Sequence, residues 1–380
     1  MGNTIEIILN GGIKVKDGNY IIPAQYRDFI KELIKTPNLI LTISGASEDK
    51  AQEFNDYPID LKINVKLYGK FSHNKIIKLF YYFKNILFSF FRKYDDFTYI
   101  FYPGNLALVL FPGILFRKIK YALYLRGQII YRNYFLNLLT RKIMEKAEFI
   151  IATGSATAKF AAKCNNNVEE VVPMMNVSKN DLFKRKSFAL SSPIQVLFLS
   201  RIEKEKGINE TIDAIAELIN EGYDIVLDVV GGGTDTMIEC LKEKLSLFKE
   251  RVNIFGQITE KEKIHHMFKK ADIFLFPTYH EGFPRVLYEA MTFSTPIITT
   301  DILGTRNVMI DGENCLKVKP KNKLSLKNTI IKMVKDEKLR RKIGENSYLF
   351  MQNKFNDIDG NSHAMQLIHK IENISQKNQM

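Results

Sequence analysis

The feature that most constrains the fold is a repeated alternation of short apolar runs with amphipathic helical patterns. The apolar runs lie at residues 5–9, 39–44, 99–102, 121–125 and 149–153, and then at 194–200, 224–230, 252–256, 271–277 and 296–300. Most of them lack polar alternation, which is typical of strands that are buried on both faces of a parallel sheet. The helical patterns between them predict β-α-β units and an α/β fold with doubly wound parallel sheets.

The alternation occurs twice, on either side of a segment at residues 171–193. This segment has little periodicity and contains Asn, Ser, Lys and two prolines, so we interpret it as a linker. We therefore predict two domains, at residues 1–175 and 190–355, and each is long enough to bury its own core. Ligands of doubly wound sheets bind beyond the carboxyl ends of the strands, where we expect the functional residues.

The net charge of +13 is concentrated in the first predicted domain. Between residues 61 and 144, fifteen Lys and Arg side chains accompany only two acids, Asp95 and Asp96, so this segment carries the whole excess of thirteen. Such a one-sided basic field indicates an anionic partner. No recognition motif for nucleic acid accompanies it, so we expect an anionic membrane surface and no nucleic acid.

Residues 75–93 form a helical pattern that has two interpretations. Lys75, Lys78, Asn85, Ser89 and Arg92 fall on one stripe, and the remaining arc is aromatic and aliphatic. The helix is either core-facing with one solvated side, or interfacial, with its aromatic residues at lipid headgroups and its lysines on anionic lipid.

The start of the chain and its cysteines bear on localisation. No secretory signal is visible at the beginning, and the three cysteines lack metal or disulfide spacing, which fits a reducing cytosol. An uncharged stretch at residues 97–116 is interrupted by Pro103, Gly104 and Pro112. A buried strand, a turn and a core helix therefore fit this stretch better than a membrane span.

The stretch FPTYHEGFPRVLYEAM, residues 276–291, places two carboxylates around a predicted helix start. Glu281 lies in a loop after a strand, and Glu289 lies in the second helical turn. Gly282 permits close backbone approach, and Pro284 suits the first helical position. The free N–H groups there form an anion site, and carboxylates accept hydroxyl protons, so a nucleoside-diphosphate sugar fits. A capping acid beside a solvated acid is the alternative.

Cations for a diphosphate are available in RIEKEKG, at the end of another predicted strand. Arg201 and Lys206 flank this loop, where they could neutralise a leaving diphosphate. Two solvated surface bases are the alternative interpretation.

The segments RIEKEKG, VVGGG, VNIFGQI and PTYHEGFPRVLYEAMTFSTPIITTD, in this order and spacing, resemble the carboxyl-terminal domain of glycosyltransferase family 4. The resemblance covers about residues 194–320. These relatives are retaining, group 1 enzymes of the GT-B fold. The resemblance implies two Rossmann-like doubly wound domains facing a cleft, with a last helix, at about residues 356–376, that crosses back to the first domain.

The resemblance also implies a role for individual residues. Arg201 and Lys206 are expected to bind the donor diphosphate, and Glu281 to contact the hydroxyls of the transferred sugar at the reaction centre. The other expected donor contacts are Gly282, Phe283, Pro284 and Arg285 along the sugar and phosphate, Glu289 at the ribose, Gly256 and Ile258 beside the nucleobase, and Gly11 and Gly12 after the first strand. The glycines at 231–233 are expected to form a structural turn. No catalytic histidine can be assigned in the first domain. The corresponding segment, LYLRGQ, has no histidine and contains Arg126 instead.

The activity implied is transfer of a hexose-type sugar from a UDP-sugar or GDP-sugar to a lipid-linked or surface-polysaccharide glycan, with no metal and no cofactor. The enzyme would be peripheral on the inner face of the cytoplasmic membrane. One alternative is a non-catalytic protein of the same fold that binds sugar nucleotides or membranes. Another is a dinucleotide-dependent oxidoreductase, although VVGGGTDTM lacks the third glycine of that motif at the required place.

Overall fold

The computed structural model of the chain describes residues 4–16, 18–23, 26–47, 56–58, 63–68, 75–126, 133–171, 177–281, 284–302, 304–306, 308–358 and 363–377. Contacts divide the chain into two compact units. Unit 1 comprises Met1–Met174 and Asn361–Met380, and unit 2 comprises Met175–Gly360.

The strands are β1 (Thr4–Lys16), β2 (Asn19–Pro23), β3 (Ile40–Ser47), β4 (Asp56–Pro58), β5 (Asn64–Tyr68), β6 (Phe97–Tyr102), β7 (Tyr121–Leu125), β8 (Ile150–Thr153), β9 (Val168–Val171), β10 (Ile194–Leu199), β11 (Ile225–Val230), β12 (Val252–Gly256), β13 (Ile273–Phe276), β14 (Ile297–Thr300) and β15 (Leu316–Val318). The helices are α1 (Arg27–Ile34), α2 (Lys75–Phe91), α3 (Asn105–Phe116), α4 (Tyr134–Glu145), α5 (Gly154–Ala161), α6 (Ile208–Asn220), α7 (Asp235–Lys244), α8 (Lys261–Lys270), α9 (Arg285–Thr292), α10 (Lys323–Lys335), α11 (Glu337–Ile358) and α12 (His363–Lys377).

The sheet of unit 1 is parallel in its centre and has an antiparallel edge. Parallel strands follow the order β5-β3-β1-β6-β7-β8-β9, and β2 and β4 extend the far end of β1 in antiparallel pairing. The residues of β6, β7 and β8 are buried throughout, as strands covered on both faces must be.

The first strand is longer than predicted, which changes the place of Gly11 and Gly12. Both lie within β1, whereas the sequence predicted that they follow the strand in a loop. The pairing of β1 with β3 shifts between Ile8 and Gly12 and then resumes, with Gly12 opposite Ala46. The strand continues because its last residues, Lys14–Lys16, pair with β2 in a hairpin.

The last helix packs on unit 1, as the fold prediction required. Ala364 and Leu367 of α12 lie in the same hydrophobic core as Tyr99 and Phe101 of β6. The ring of His363 stacks on Phe29, with 4.5 Å between ring centroids. Residues 356–358, which were assigned to this helix, instead end α11 in unit 2.

The sheet of unit 2 is parallel, with strand order β12-β11-β10-β13-β14-β15. The chain order reverses between β10 and β13, which pair directly, and ligands of open α/β sheets bind at such a reversal. Residues 177–193, interpreted as a linker, pack on this unit. Arg185 donates hydrogen bonds to the carbonyl oxygens of Phe268, Lys269 and Ala271 at 3.2, 3.1 and 2.8 Å.

The uncharged stretch at residues 97–116 forms the buried strand β6 and the core helix α3, as predicted. Within the described ranges, none of the helices combines the length and the apolar character needed to cross a membrane.

Candidate active site

Two loops lie against each other at the carboxyl edge of the unit 2 sheet. Residues 201–207 follow β10, and residues 277–281 follow its neighbour β13. The amide N–H of Tyr279 donates to the carbonyl oxygen of Glu205 (2.8 Å), and the Thr278 hydroxyl donates to the same oxygen (3.2 Å). These hydrogen bonds hold the two loops in register.

Gly207 permits the close contact between the loops. Its φ is +75°, and a side-chain carbon at this position would lie 2.2 Å from the carbonyl oxygen of Pro277. Only glycine adopts this backbone conformation without strain and also leaves the space that Pro277 occupies. The residue before it, Lys206, is thereby held over the second loop.

Lys206 and Glu281 form an ion pair between the two loops. The side chain of Lys206 is 11% exposed and that of Glu281 is 27% exposed, so the pair is partly withdrawn from water. Two side chains to which the sequence assigned catalytic roles therefore lie together, at the point where the order of strands reverses.

Arg201 lies at the beginning of the first loop but has a different environment. Its side chain is 68% exposed and donates a hydrogen bond to the carboxylate of Glu203 (2.5 Å). Among the described residues, Arg201 is thus outside the Lys206–Glu281 pair. An exposed guanidinium on a loop can change rotamer at little cost.

Helix α9 begins directly after the second loop. It starts at Arg285, and Pro284 is its cap residue with a ψ of 88°, outside the helical range. The sequence predicted that Pro284 is the first residue of the helix, but the helix begins one residue later, at Arg285. The first turn of α9 carries no acidic residue, so its N–H groups retain their positive partial charge. Gly282 and Phe283 lie outside the described residues.

Glu289 lies in the second turn of α9 and is buried. Helical side chains lean towards the N-terminus, so this carboxylate is directed back along α9 towards the helix start. Its position is therefore compatible with the predicted contact to a ribose diol.

The glycines at 231–233 form a tight turn beside the first loop. A side-chain carbon at Gly231, where φ is +147°, would lie 1.8 Å from the carbonyl oxygen of Ser200. The amide of Gly231 donates to the carbonyl oxygen of Gly256 (2.8 Å), and the amide of Ile202 donates to that of Gly232 (2.8 Å). The turn thus connects the ends of β10 and β12 and brings Gly256 and the half-buried Ile258 to the same edge of the sheet.

Tyr279 and Glu210 belong to this edge and were not predicted. The Tyr279 hydroxyl donates to the Glu210 carboxylate (2.6 Å), and the Lys321 ammonium lies 5.0 Å from the ring centroid. Burial and this carboxylate raise the pKa of Tyr279 well above its usual range, so its hydroxyl remains a donor. The only signal in the sequence was the position of Tyr279, two residues before Glu281.

Unit 1 has its own polar cluster beside Gly11, centred on Asn10. The Tyr26 hydroxyl donates to the Asn10 side-chain oxygen (2.5 Å), and Arg126 donates to the same oxygen (3.5 Å). The Asn10 amide donates to the carbonyl oxygen of Pro103 (3.3 Å). The sequence analysis identified Arg126 as a candidate but not Asn10. The only signal for Asn10 was its place directly before Gly11 and Gly12.

No group of three or more His, Cys, Asp or Glu side chains that could hold a metal occurs within the described part of the chain. Metal independence stays a prediction.

The fold places the protein in the GT-B class. The structure is similar to that of Anabaena HepE in complex with UDP and glucose, with a TM-score of 0.69, 15% identity, and coverage of 98% of this chain and 99% of that chain. This likeness confirms the predicted fold class.

Residues 179–350, nearly all of unit 2, match the family model of glycosyl transferases group 1, which confirms the resemblance found in the sequence. A capsular polysaccharide biosynthesis glycosyltransferase of Staphylococcus aureus, CapM, is 29% identical over 180 residues, which is 47% of each chain. An uncharacterized glycosyltransferase of Methanocaldococcus jannaschii is 26% identical over 277 residues, 67% of this chain and 69% of that one. The chain thus spans about half the length of the first relative.

Proposed function

We propose that the protein is a retaining glycosyltransferase that moves a sugar from a nucleoside-diphosphate sugar to an acceptor hydroxyl. The observation that carries this proposal is the Lys206–Glu281 ion pair at the strand-order reversal of unit 2. A cation for the diphosphate and a carboxylate for sugar hydroxyls are thereby held side by side. The match of residues 179–350 to the group 1 family supports the same conclusion.

The donor would lie along the edge formed by the two loops and the start of α9. Its diphosphate accepts hydrogen bonds from Lys206 and from the N–H groups of the first helical turn. Glu281 accepts hydrogen bonds from the sugar hydroxyls, and Glu289 accepts them from the ribose. A UDP-sugar or a GDP-sugar fits these contacts, and the UDP bound to HepE favours the first.

Arg201 would join the diphosphate by leaving Glu203. The departing diphosphate carries more charge than a single exposed carboxylate, and it presents oxygens to both arms of the guanidinium. Binding therefore recruits Arg201 from its exposed position, whereas Lys206 is already in place.

In the proposed reaction, the bond between the sugar C1 and the diphosphate oxygen breaks with oxocarbenium character. The bonding electron pair leaves with the diphosphate, whose charge is stabilised by Lys206, Arg201 and the start of α9. The acceptor oxygen forms the new bond to C1 on the same face, and its proton passes to a phosphate oxygen. The anomeric configuration is retained, and these cationic groups take the role that a metal plays in other transferases.

The acceptor is proposed to be a lipid-linked or surface-polysaccharide glycan. The similarity to a capsular polysaccharide enzyme and the basic segment at residues 61–144 both support it. The protein would then act peripherally on the inner face of the cytoplasmic membrane, where a lipid-linked glycan presents its terminal hydroxyl.

Binding and transfer can be separated with three variants. Thermal shift with UDP, GDP and ADP sugars should identify one nucleotide family, and Lys206→Ala should abolish that shift. Lys204→Ala removes an exposed lysine from the same loop and should leave the shift unchanged. Glu281→Ala should retain binding of the nucleoside diphosphate and lose transfer, measured as nucleotide release with membrane extract. Full transfer by Glu281→Ala would refute the assigned role, and tight binding without any turnover in the wild type would favour a non-catalytic protein.

A further inference from the structure

Helix α2 carries an apolar face that points to solvent. Five side chains on this face, each more than half exposed, are Phe80, Phe83, Leu87, Phe88 and Phe91. At 100° per residue these positions fall within one arc of the helix surface. We name these five residues the aromatic face.

The opposite side of α2 is buried and includes three polar side chains beside apolar ones such as Tyr81 and Ile86. Asn85, Ser89 and Arg92, the last just beyond the helix end, are all at least nine-tenths buried. In one interpretation of the sequence, these polar residues form the solvated side of a helix whose apolar face packs on the core. That interpretation is wrong for these three residues.

Specific contacts hold α2 in this orientation. The Arg92 guanidinium forms a buried ion pair with Glu6 of β1. The Ser89 hydroxyl accepts a hydrogen bond from the amide of Gly113 in α3 (3.0 Å). A side-chain carbon at Gly113 would lie 2.0 Å from the carbonyl oxygen of Ser89, so α2 and α3 cross in close contact. Rotation of α2 to bury its phenylalanines would break these contacts.

The aromatic face exposes apolar surface that would gain free energy on burial. Burial of large apolar side chains is favourable, and five of them in one patch remain more than half exposed to water. Contiguous apolar surface of this kind marks an interaction site. The aromatic face therefore has the character of a binding surface for an apolar partner.

The surroundings of the aromatic face are cationic. Phe116, at the end of α3, is 73% exposed and meets Phe90 of α2 edge to face at 5.3 Å, which extends the apolar surface. Lys118 follows it and is exposed, as are Lys84 within the face and Lys93 beyond its end.

We propose that the aromatic face and Phe116 insert into the interfacial region of an anionic lipid bilayer. Phenylalanine and leucine fit the acyl boundary, and the lysines at the rim fit anionic headgroups. A second copy of this chain would bring the same lysines against their counterparts, and this repulsion opposes a symmetric dimer. This proposal depends on the proposed function in one respect: a membrane-borne acceptor gives the protein a reason to bind the membrane.

The absence of tryptophan from the chain makes insertion directly measurable. Phe83→Trp and Phe91→Trp each introduce a single reporter into the aromatic face, and Leu324→Trp introduces one at an exposed position of α10 in unit 2. With vesicles of phosphatidylcholine and phosphatidylglycerol, the first two reporters should shift to shorter emission wavelength and be quenched by brominated acyl chains. The Leu324→Trp reporter should do neither. Equal behaviour of all three reporters would overturn the proposal.

A variant that removes two phenylalanines from the aromatic face provides a second test, read out as vesicle binding. Phe83→Ser/Phe91→Ser should reduce sedimentation with these vesicles at least tenfold, while Leu324→Ser/Leu349→Ser, which removes exposed leucines from unit 2, should not. Vesicle sedimentation is measured without donor, so it does not depend on whether the transferase proposal holds, and a retained donor-induced thermal shift would show separately that the donor site is intact. Undiminished vesicle binding by the first variant would contradict the insertion, as would a dimer that this variant dissociates in the absence of lipid.

Discussion

Gly207 approaches the carbonyl oxygen of Pro277 more closely than a residue with a side chain could, because a carbon added at Gly207 would lie 2.2 Å from that oxygen. This contact joins the ends of β10 and β13. The ion pair of Lys206 and Glu281 therefore depends on a backbone contact between Gly207, next to Lys206, and Pro277, four residues before Glu281.

The first prediction is that Gly207→Ala separates the two loops. Both this position and Gly222 have a positive φ, but nothing lies within 4 Å of a carbon added at Gly222. Gly222→Ala should lower the free energy of unfolding by about 1–2 kcal/mol, the cost of the left-handed backbone. Gly207→Ala should cost several kcal/mol and also abolish the donor-induced thermal shift. Equal stability of the two variants in urea unfolding would show that the loops tolerate the displacement.

The second prediction concerns the hydrogen bond of Tyr279 to Glu210. Because the acceptor is a carboxylate, Tyr279→Phe should lower the free energy of unfolding by about 1.5–3 kcal/mol. Tyr223→Phe is the matched control, since Tyr223 is also half-buried but its hydroxyl has no hydrogen bond within the described residues. A double-mutant cycle with Glu210→Ala should then give a coupling free energy above about 0.5 kcal/mol, whereas independent effects would exclude the bond as a link between loop and helix.

The third prediction follows from His363, which anchors α12 in unit 1. Its imidazole is buried, shares a hydrogen bond with the Tyr99 hydroxyl (2.6 Å) and stacks on Tyr124. Burial lowers the pKa of His363 from 6.5 to about 3. Protonation therefore favours the unfolded state, so this contribution to stability is complete above about pH 6.5 and decreases as the pH falls towards 3.

Urea unfolding between pH 7 and pH 4 tests this dependence. Where His363 is charged in the unfolded chain only, the wild type should lose about 1.4 kcal/mol per pH unit from this group. His363→Gln keeps an acceptor for Tyr99 but has no charge to gain, so its stability should vary less with pH. His369→Gln changes an exposed histidine of the same helix and should retain the wild-type profile.

The central strands of both sheets were predictable from the sequence. Strands such as β7 and β13 are covered on both faces, so their apolar runs are continuous. The strands that the sequence did not reveal lie at the margins of the two sheets, and in unit 2 the missed strand is the edge strand β15. In β5 most residues are at least partly exposed, and β2 begins with two exposed residues, so neither has a continuous apolar signal.

The residues of the candidate site were predictable where a motif carried them, as for Lys206 and Glu281. Their support was not predictable, because the contact of Gly207 with Pro277 depends on how two distant loops dock. The orientation of α2 was not predictable either. Helical periodicity identifies two faces, but contacts between distant residues, such as the ion pair of Arg92 with Glu6, 86 residues away, favour burial of one of them.

The fourth prediction concerns that ion pair, which ties the residue after the end of α2 to β1. Glu6 and Arg92 are both almost fully buried, and the Ser44 hydroxyl also donates to Glu6. Removing one partner leaves an uncompensated charge inside unit 1, so Glu6→Ala should cost about 3–5 kcal/mol in free energy of unfolding. Arg341→Ala, which breaks an exposed pair with Glu337, should cost less than about 1 kcal/mol.

Replacing both Glu6 and Arg92 tests the effect of the ion pair on the stability of unit 1 separately from its effect on the orientation of α2. Glu6→Leu/Arg92→Met removes both charges and should recover most of the stability lost by Glu6→Ala, because the apolar side chains fill the same space without desolvated charge. The double variant also frees α2 from the contact that keeps its phenylalanines outward. Hydrogen exchange of the α2 amides should therefore be faster than in the wild type, and the Phe83→Trp reporter should lose part of its shift on vesicles. Unchanged exchange and an unchanged shift would mean that the close crossing of Ser89 and Gly113 is enough to set the orientation.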